Sequence, residues 1–232
     1  MPADRLSIAT EDGAFSGYIA RPAAAKAPAI VVIQEIFGVN AVMRGICDDL
    51  ATQGYIAICP DLFWRIEPGV DITDQSDAEW KRAFELFNAF DIDAGVKDIA
   101  ATIGLIRGEV GCNGRVGAVG FCLGGLLAFL TATRTDVDAS VGYYGVGIER
   151  FTAESEKLAS PVLLHIAEQD QFVPKVAQEL IITALKNHPQ VAIHTYPGRD
   201  HAFARKGGAH FDAQDAAIAE GRTLDFFKKQ LG

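Results

Sequence analysis

Short apolar runs alternate with amphipathic segments along this chain. Residues 29–34 and 55–59 are rich in β-branched side chains without polar alternation, which is typical of strands covered on both faces. Between them, residues 41–52 carry apolar side chains at helical spacing, and Gly54 follows directly after. Strands that alternate with helices indicate βαβ units. The pattern therefore predicts an α/β fold with a mostly parallel central sheet and helices on both faces.

The remaining elements follow from the same two periodicities. An antiparallel hairpin is predicted for residues 6–8 and 15–20, and residues 65–78 are predicted to form a long acidic surface loop. No internal repeat or linker separates the elements, so we expect one domain over residues 1–232. Further strands are predicted at 115–121, 139–144, 161–167 and 191–196, and further helices at 96–106, 123–132, 174–185 and 213–231.

Composition and charge narrow the class of protein. The 232 residues include 21 Lys and Arg against 30 Asp and Glu, a net charge of −9, which argues against nucleic acid or an anionic membrane as the main partner. No apolar run approaches the roughly 18 residues of a membrane span, and residues 1–13 lack the apolar core of a signal peptide. We therefore expect a cytoplasmic protein.

The four cysteines show neither a C-x-x-C pair nor the spacing of a zinc site, so no metal is expected. Three of them, Cys47, Cys59 and Cys112, are interpreted as small apolar residues. Glycine-rich nucleotide-binding motifs and H-E-x-x-H are also missing from the sequence, and we expect no cofactor.

The fourth cysteine lies in the most informative segment, residues 115–126 (RVGAVGFCLGGL). An apolar strand ends in Gly120-x-Cys122-x-Gly124 and a helix-forming run follows, which is the nucleophile-elbow pattern with cysteine in place of serine. The two glycines allow a sharp turn, and the amino end of the helix directs N–H groups toward the nucleophile. This arrangement favours a thiolate and a developing oxyanion, so Cys122 is the predicted nucleophile.

A nucleophile needs a base, and the base needs an acid that orients it. In an elbow fold the chain order is nucleophile, acid, histidine, with the site beyond the carboxyl ends of the strands. Asp170 follows the predicted strand 161–167, and His201 follows the predicted strand 191–196. Glu168 and Asp200 remain alternative acids at less suitable positions.

Four other histidines compete with His201. His165 lies inside a predicted strand and is interpreted as a satisfied core residue, and His194 also lies in a strand. His188 precedes a proline at a helix end, where we expect it to be solvated. His210 lies in a glycine-rich loop and could touch the site.

Several motifs together resemble those of the dienelactone hydrolases (carboxymethylenebutenolidases), a cysteine branch of the α/β-hydrolase fold. The resemblance covers nearly the whole chain and is therefore more specific than an elbow alone. The motifs are 34–38 (QEIFG), 120–125 (GFCLGG), 142–145 (GYYG), 169–174 (QDQFVP) and 201–205 (HAFAR).

The resemblance implies a Cys122–His201–Asp170 triad that opens a dienelactone-type enol-lactone to maleylacetate through a thioester-like acyl-enzyme. It further implies that Glu35 pairs with the resting thiol and takes its proton when substrate arrives. The oxyanion would be bound by two backbone N–H groups, those of Leu123 and Ile36.

Substrate binding in this family uses arginines for the free carboxylate of the lactone, and Arg205 matches one of them. At the other arginine's position, on a helix that the resemblance places before residues 83–87, this chain has Trp80. A helix turns about 100° per residue, so Lys81 and Arg82 point elsewhere. The candidate substrate-binding residues are Arg205, Phe37, Trp80, Arg82, Phe84 and Tyr144.

The expected partner is a small lactone or ester, and the expected state is a monomer. Two alternatives stay open. If Trp80 removes the selectivity for an anionic lactone, the protein is a broader cysteine carboxylesterase of the same fold. If the thiol is held unproductively, it is a ligand-binding protein without turnover.

Overall fold

Eight strands and six α-helices alternate in the computed structural model, which describes residues 4–232. They form an α/β fold with a mostly parallel sheet, as the sequence predicts. The strands are β1 Arg5–Thr10, β2 Gly13–Ala20, β3 Ala27–Ile33, β4 Ile56–Pro60, β5 Cys112–Phe121, β6 Ala139–Tyr143, β7 Val162–Ala167 and β8 Val191–Tyr196. The helices are α1 Ala41–Thr52, α2 Asp77–Ala89, α3 Ile92–Arg107, α4 Leu123–Arg134, α5 Lys175–Leu185 and α6 Ala213–Leu231.

The chain divides into two units, Met1–Ala118 and Val119–Gly232. A single domain over residues 1–232 stays a prediction, and its first three residues lie outside the described part of the chain.

The first unit begins with the predicted hairpin. Strands β1 and β2 pair antiparallel, with Arg5 opposite Tyr18, and β2 pairs antiparallel with β4. Strand β3 pairs parallel with β4, with Ala29 opposite Ile56. All five residues of β4 are buried, which agrees with its uninterrupted apolar sequence.

The second unit carries the parallel order β6-β7-β8. Strands β7 and β8 stay in register from Val162 opposite Val191 to Ala167 opposite Tyr196. Because parallel strands end at the same edge, the loops that follow β7 and β8 start side by side. Helix α4 is the buried helix of this unit, since eleven of its twelve residues are buried.

The predicted surface loop is present over residues 65–76. Helix α2, which follows it from Asp77, is the main element that the sequence pattern missed and that was expected only through the resemblance. Its start is marked in the sequence by a capping box. Ser76 Oγ accepts the Glu79 N–H at 3.3 Å, and the Glu79 carboxylate accepts the Ser76 hydroxyl at 2.9 Å. Two short 3-10 helices, Ile148–Arg150 and Thr152–Lys157, were not predicted either. Strand β5 begins at Cys112, three residues before the predicted strand 115–121.

None of the helices within residues 4–232 combines the length and the apolarity needed to cross a membrane.

Candidate active site

Cys122 occupies a strained turn between β5 and α4. Its backbone has φ 56° and ψ −115°, a conformation that L-residues with a side chain rarely adopt. The Cys122 N–H donates to the Tyr143 carbonyl at 3.1 Å, and the Cys122 carbonyl accepts the Gly125 N–H at 2.9 Å. A Cβ on Gly120 would lie 1.9 Å from the Gly124 carbonyl oxygen, so the spacing of glycines around Cys122 is a steric requirement of the turn.

Cys122 is the N-cap residue of α4, but its thiol accepts no capping hydrogen bond from the backbone of the helix. Leu123, the first helical residue, is buried. The partial positive charge of the helix end therefore lies beside a buried sulfur, a location that favours negative charge on it.

His201 and Asp170 form a buried pair in the same unit. His201 Nδ1 lies 2.8 Å from Asp170 Oδ2, and the two side chains are 3% and 1% exposed. The other carboxylate oxygen, Oδ1, accepts the N–H groups of Phe172 at 2.8 Å and Val173 at 3.0 Å. These backbone bonds fix the carboxylate, so the oxygen that faces His201 is held in place before any reaction.

The protonation of His201 is set by its charged neighbours. Burial alone would lower its pKa, but the negative charge of Cys122 and the hydrogen bond with Asp170 outweigh burial and raise the pKa to about 10. The second ring nitrogen, Nε2, is buried without a hydrogen bond of ordinary geometry, while a hydrogen bond between the ring and the Cys122 side chain contributes to the raised pKa. His201 is thus a buried histidine with one nitrogen oriented by a carboxylate and with Cys122 as the second neighbour of its ring.

Backbone strain in the described residues concentrates around this group. Three non-glycine residues have positive φ, namely Cys122 at 56°, Tyr144 at 38° and Ala202 at 62°. Ala202 directly follows His201, and the Tyr144 ring packs edge-on against the His201 ring at a centroid distance of 5.0 Å. Strain confined to a few neighbouring residues is typical of functional sites.

The alternative acids have other partners. Asp200 Oδ1 accepts the backbone N–H of His201 at 2.6 Å, so it holds the chain of His201, whereas the ring is held by Asp170. The Glu168 carboxylate lies 3.4 Å from Lys175 Nζ. The geometry therefore favours Asp170 over both.

The competing histidines are also separated by their contacts. His165 is a satisfied core residue, as predicted, with Nδ1 2.7 Å from the Tyr196 hydroxyl and Nε2 3.0 Å from Thr223 Oγ1. Burial holds its pKa well below the usual range. His210 touches the site through the backbone, with Nδ1 3.1 Å from the His201 carbonyl.

The two remaining histidines lie outside this group. His194 lies within β8, with its ring 6.1 Å from that of His165. His188, predicted to be solvated, is only partly exposed, and its Nδ1 accepts the Gln190 N–H at 3.2 Å.

Several predicted site residues belong to the first unit. Glu35 and Ile36 are buried directly after β3, and the buried Phe37 ring contacts Trp80 edge-on at 5.1 Å. Trp80 also stacks on Phe84 at 5.6 Å. Its indole N–H donates to the Asp74 carbonyl at 3.0 Å, so the polar edge of Trp80 already has a hydrogen-bond partner and the ring belongs to a partly exposed aromatic cluster with Phe37 and Phe84.

The two candidate arginines differ in their surroundings. Arg82 is partly exposed and forms ion pairs with Glu67 and Glu85. Arg205 is buried in the second unit, four residues after His201. The two candidates therefore differ in burial, and hydrogen bonds between a guanidinium and a carboxylate are stronger where solvent is excluded.

Phe172 is a site residue to which the sequence assigned no role. Its ring packs edge-on against the His201 ring at a centroid distance of 4.9 Å, and the Tyr144 ring makes a second edge-on contact with His201. The sequence feature that could have identified Phe172 is its position two residues after Asp170.

Within residues 4–232, no group of three or more His, Cys, Asp or Glu side chains could hold a metal ion.

Comparisons with known proteins show to which family this sequence is related. The sequence model of the dienelactone hydrolase family matches residues 15–231. A protein of Azospirillum brasilense assigned as a carboxymethylenebutenolidase is 52% identical over 226 residues, which is 97% of each chain. The carboxymethylenebutenolidase of Pseudomonas putida is 43% identical over 227 residues, 97% of this chain and 96% of its own.

Solved structures confirm the fold. The crystal structure of a Klebsiella pneumoniae protein assigned as a dienelactone hydrolase has a TM-score of 0.84 at 28% identity and covers 97% of each chain. An α/β hydrolase from Penicillium, only 13% identical, has a TM-score of 0.73 over 99% of each chain. The expected α/β-hydrolase fold is therefore the fold of this chain.

Proposed function

The chain belongs to the dienelactone hydrolase family, and we propose that it opens a dienelactone-type enol-lactone to maleylacetate with Cys122 as the nucleophile. The observation that carries the proposal is the state of His201. One ring nitrogen is held by Asp170, and the interactions of the ring with Cys122 and Asp170 raise the His201 pKa to about 10. These features support a thiolate and imidazolium pair in the active enzyme.

Acylation follows from this pair. The Cys122 thiolate attacks the ring carbonyl, the ring C–O bond breaks, and a conjugated enolate leaves. Because the sulfur becomes neutral in the thioester, the charge that raised the His201 pKa disappears. The imidazolium becomes a stronger acid at that moment and can donate its proton to the enolate.

Deacylation uses the same histidine in its neutral form. His201, still oriented by Asp170, takes a proton from water while the hydroxide attacks the thioester. The C–S bond then breaks, which restores the thiolate beside an imidazolium and releases the second carboxylate of the product. One base with a tunable pKa thus serves both half-reactions.

Two further roles are proposed, one for the resting thiol and one for the oxyanion. Glu35 pairs with the resting Cys122 thiol, takes the thiol proton when substrate binds, and returns that proton to the restored thiolate when product leaves. The oxyanion is stabilised by the N–H groups of Leu123 and Ile36. Leu123 is the first residue of α4, and Glu35 and Ile36 follow the end of β3 by two and three residues.

Arg205 is proposed to bind the free carboxylate of the lactone, with Tyr144, Phe37, Phe84 and Trp80 as further contacts. Arg82 is the weakest of the original candidates because Glu67 and Glu85 already neutralise it.

A second candidate function, a broader cysteine carboxylesterase, is favoured by one observation. The Trp80 N–H is committed to Asp74 and its rings neighbour Phe37 and Phe84, so this position offers an apolar surface where the family has an arginine. Relative kcat/KM for a dienelactone carrying its carboxylate and for a neutral aryl ester separates the two. Preference for the neutral ester would replace the first proposal by the second.

The nucleophile is tested by Cys122→Ala in a spectrophotometric ring-opening assay. Because the thioester cannot form without the Cys122 sulfur, kcat is expected to fall by at least about 10³-fold. The matched control is Cys112→Ala, a half-exposed cysteine at the start of β5, which is expected to leave kcat unchanged. Full turnover by Cys122→Ala would disprove the assignment, and less than one product per protein in the native enzyme would favour the ligand-binding alternative.

We also propose a monomeric, single-domain protein of the cytoplasm. Cys47, Cys59 and Cys122 are buried and form no disulfide bond, which suits a reducing compartment. Size-exclusion chromatography with light scattering tests the monomer, since a mass of twice 24.9 kDa would exclude it.

A further inference from the structure

We propose that Asp200 is a positioning residue for His201, in which one carboxylate oxygen ties the loop that carries the acid to the loop that carries the base. The proposal rests on the proposed function, since it assigns a role to a neighbour of the base. Two segments are involved. The acid loop is residues 168–174, between β7 and α5, and the base loop is residues 197–212, between β8 and α6.

The two loops begin where the regular parallel pairing of β7 with β8 ends. The last register pair of β7 and β8 is Ala167 opposite Tyr196. One further backbone bond joins the loops, from the Gln169 N–H to the Arg199 carbonyl at 2.7 Å. The next link is made by a side chain. Asp200 Oδ1 accepts the Gln171 N–H at 3.3 Å, so a carboxylate oxygen takes the place of the next carbonyl acceptor.

The same oxygen also fixes the base. Asp200 Oδ1 accepts the His201 N–H at 2.6 Å. Gln171 directly follows Asp170, so this single atom binds the backbone beside the acid and the backbone of the histidine. The ring bond between His201 and Asp170, 2.8 Å long, closes the circuit. Any shift of one loop against the other must therefore stretch the bonds at Asp200.

The base loop has a reason to need such a tie. Ala202, next to His201, is held at φ 62°, a conformation that a residue with a Cβ leaves readily unless its surroundings prevent it. His210 restrains the other side of the same peptide, with Nδ1 3.1 Å from the His201 carbonyl and Nε2 3.7 Å from Asp200 Oδ2. The backbone of His201 is thus held at its N–H and at its carbonyl.

Asp200 acts through the backbone rather than through charge on the ring. The ring nitrogen that faces a carboxylate faces Asp170, and the groups that shift the titration of His201 are Cys122 and Asp170. Asparagine keeps an oxygen acceptor of the same geometry, whereas alanine removes it. The two substitutions therefore separate the acceptor from the charge.

The experiment compares Asp200→Ala, Asp200→Asn and a matched control, Glu168→Ala, which removes a nearby carboxylate from the acid loop. Steady-state kcat and KM for lactone opening are measured per active site, counted by stoichiometric labelling of the Cys122 thiol, together with the thermal midpoint of each variant. We expect Asp200→Ala to lower kcat by about 10–100-fold with KM within about twofold, because displacing a base by a fraction of an ångström to an ångström has this effect. Asp200→Asn is expected to stay within about threefold of the native kcat, and Glu168→Ala to match the native enzyme.

Three results would overturn the proposal. They are a native kcat per titrated site in Asp200→Ala, an equal loss in Asp200→Asn, and an equal loss in Glu168→Ala. Failure of the proposed function looks different, because Cys122→Ala would then retain turnover. With Cys122→Ala inactive and Asp200→Ala fully active, only the positioning role is lost.

Discussion

Two buried histidines in the second unit show how partners decide what an imidazole does. His165 lies within β7 and His201 follows β8, and both are nearly inaccessible, at 1% and 3% exposed. Burial pushes the pKa of both downward. The pKa of His165 does lie well below the usual range, yet that of His201 is raised to about 10.

The difference lies in the charge of the hydrogen-bond partners. Both ring nitrogens of His165 lie at hydrogen-bond distance from neutral hydroxyls, those of Tyr196 and Thr223. His201 Nδ1 faces the Asp170 carboxylate, and the ring also interacts with Cys122 through charge and a hydrogen bond. Neutral partners leave burial to lower the pKa of an imidazole, whereas anionic partners favour the imidazolium.

The backbones differ in the same sense. His165 sits in a regular ladder, opposite His194. His201 is followed by Ala202 at φ 62°. Regular structure thus carries the histidine that only stabilises the fold, and strained structure carries the one proposed to react.

The largest effect is expected from replacing the carboxylate partner of His201 by a neutral group, so that His201, like His165, has a neutral partner. Asp170→Asn is expected to lower kcat by about 10³–10⁴-fold, because the amide no longer favours the imidazolium or enforces the tautomer with Nε2 available as base. Steady-state kinetics with a lactone substrate measures the change. Glu168→Gln, a neighbouring carboxylate without a bond to the ring, serves as control, and a loss below tenfold in Asp170→Asn would contradict the role of Asp170.

The converse change removes a partner from His165. Thr223 Oγ1 lies 3.0 Å from His165 Nε2 and 2.6 Å from the Tyr143 hydroxyl, so Thr223→Val leaves two buried polar groups without this partner. We expect the free energy of unfolding to fall by about 2–3 kcal/mol, with kcat nearly unchanged in the folded enzyme. Chemical denaturation measures the first and kinetics the second.

Thr223→Ser is the matched control, since it keeps the hydroxyl and is expected to recover most of the stability. A large loss of kcat in Thr223→Val at native stability would show that the two networks are not separate in function.

The smallest expected change is in the pKa values of the two histidines. By NMR, His201 is expected to remain protonated through pH 8 and to titrate near 10, and Cys122→Ala is expected to lower its pKa because the interactions of the ring with the Cys122 side chain are lost. His165 is expected to remain neutral below pH 6.5. A His201 pKa that Cys122→Ala does not change would contradict the electrostatic coupling of the pair.

These shifts act on stability in opposite directions. The raised pKa of His201 stabilises the folded protein fully below the unfolded histidine pKa of about 6.5, and this contribution is lost as the pH rises through about 10. The depressed pKa of His165 costs nothing above about 6.5 and destabilises the fold as the pH falls below it, because only the unfolded chain then takes up the proton. Unfolding free energies measured from pH 5 to pH 10 test both signs.

The local features of this protein could be read from its sequence. Helices α1 and α6 begin and end as predicted, because their caps and periodicity are local. The spacing of Gly120, Cys122 and Gly124 indicated a sharp turn, and the structure shows why glycine is needed, since a Cβ at Gly120 would collide with the Gly124 backbone. Helix α2 was readable too, through Ser76 and Glu79, although the acidic composition around it suggested a loop.

What the sequence left open was the choice among like residues. Asp170, Glu168 and Asp200 all follow strands, and His165 and His201 are both near strand ends. The tertiary structure decided between them, because hydrogen bonds join residues 31 positions apart in the case of His201 and Asp170 and 58 apart in the case of His165 and Thr223. Local periodicity determines which residues form a strand or a turn. Only the register of β7 against β8 and the packing of α6 determine which acid meets which ring, and therefore which histidine stays charged.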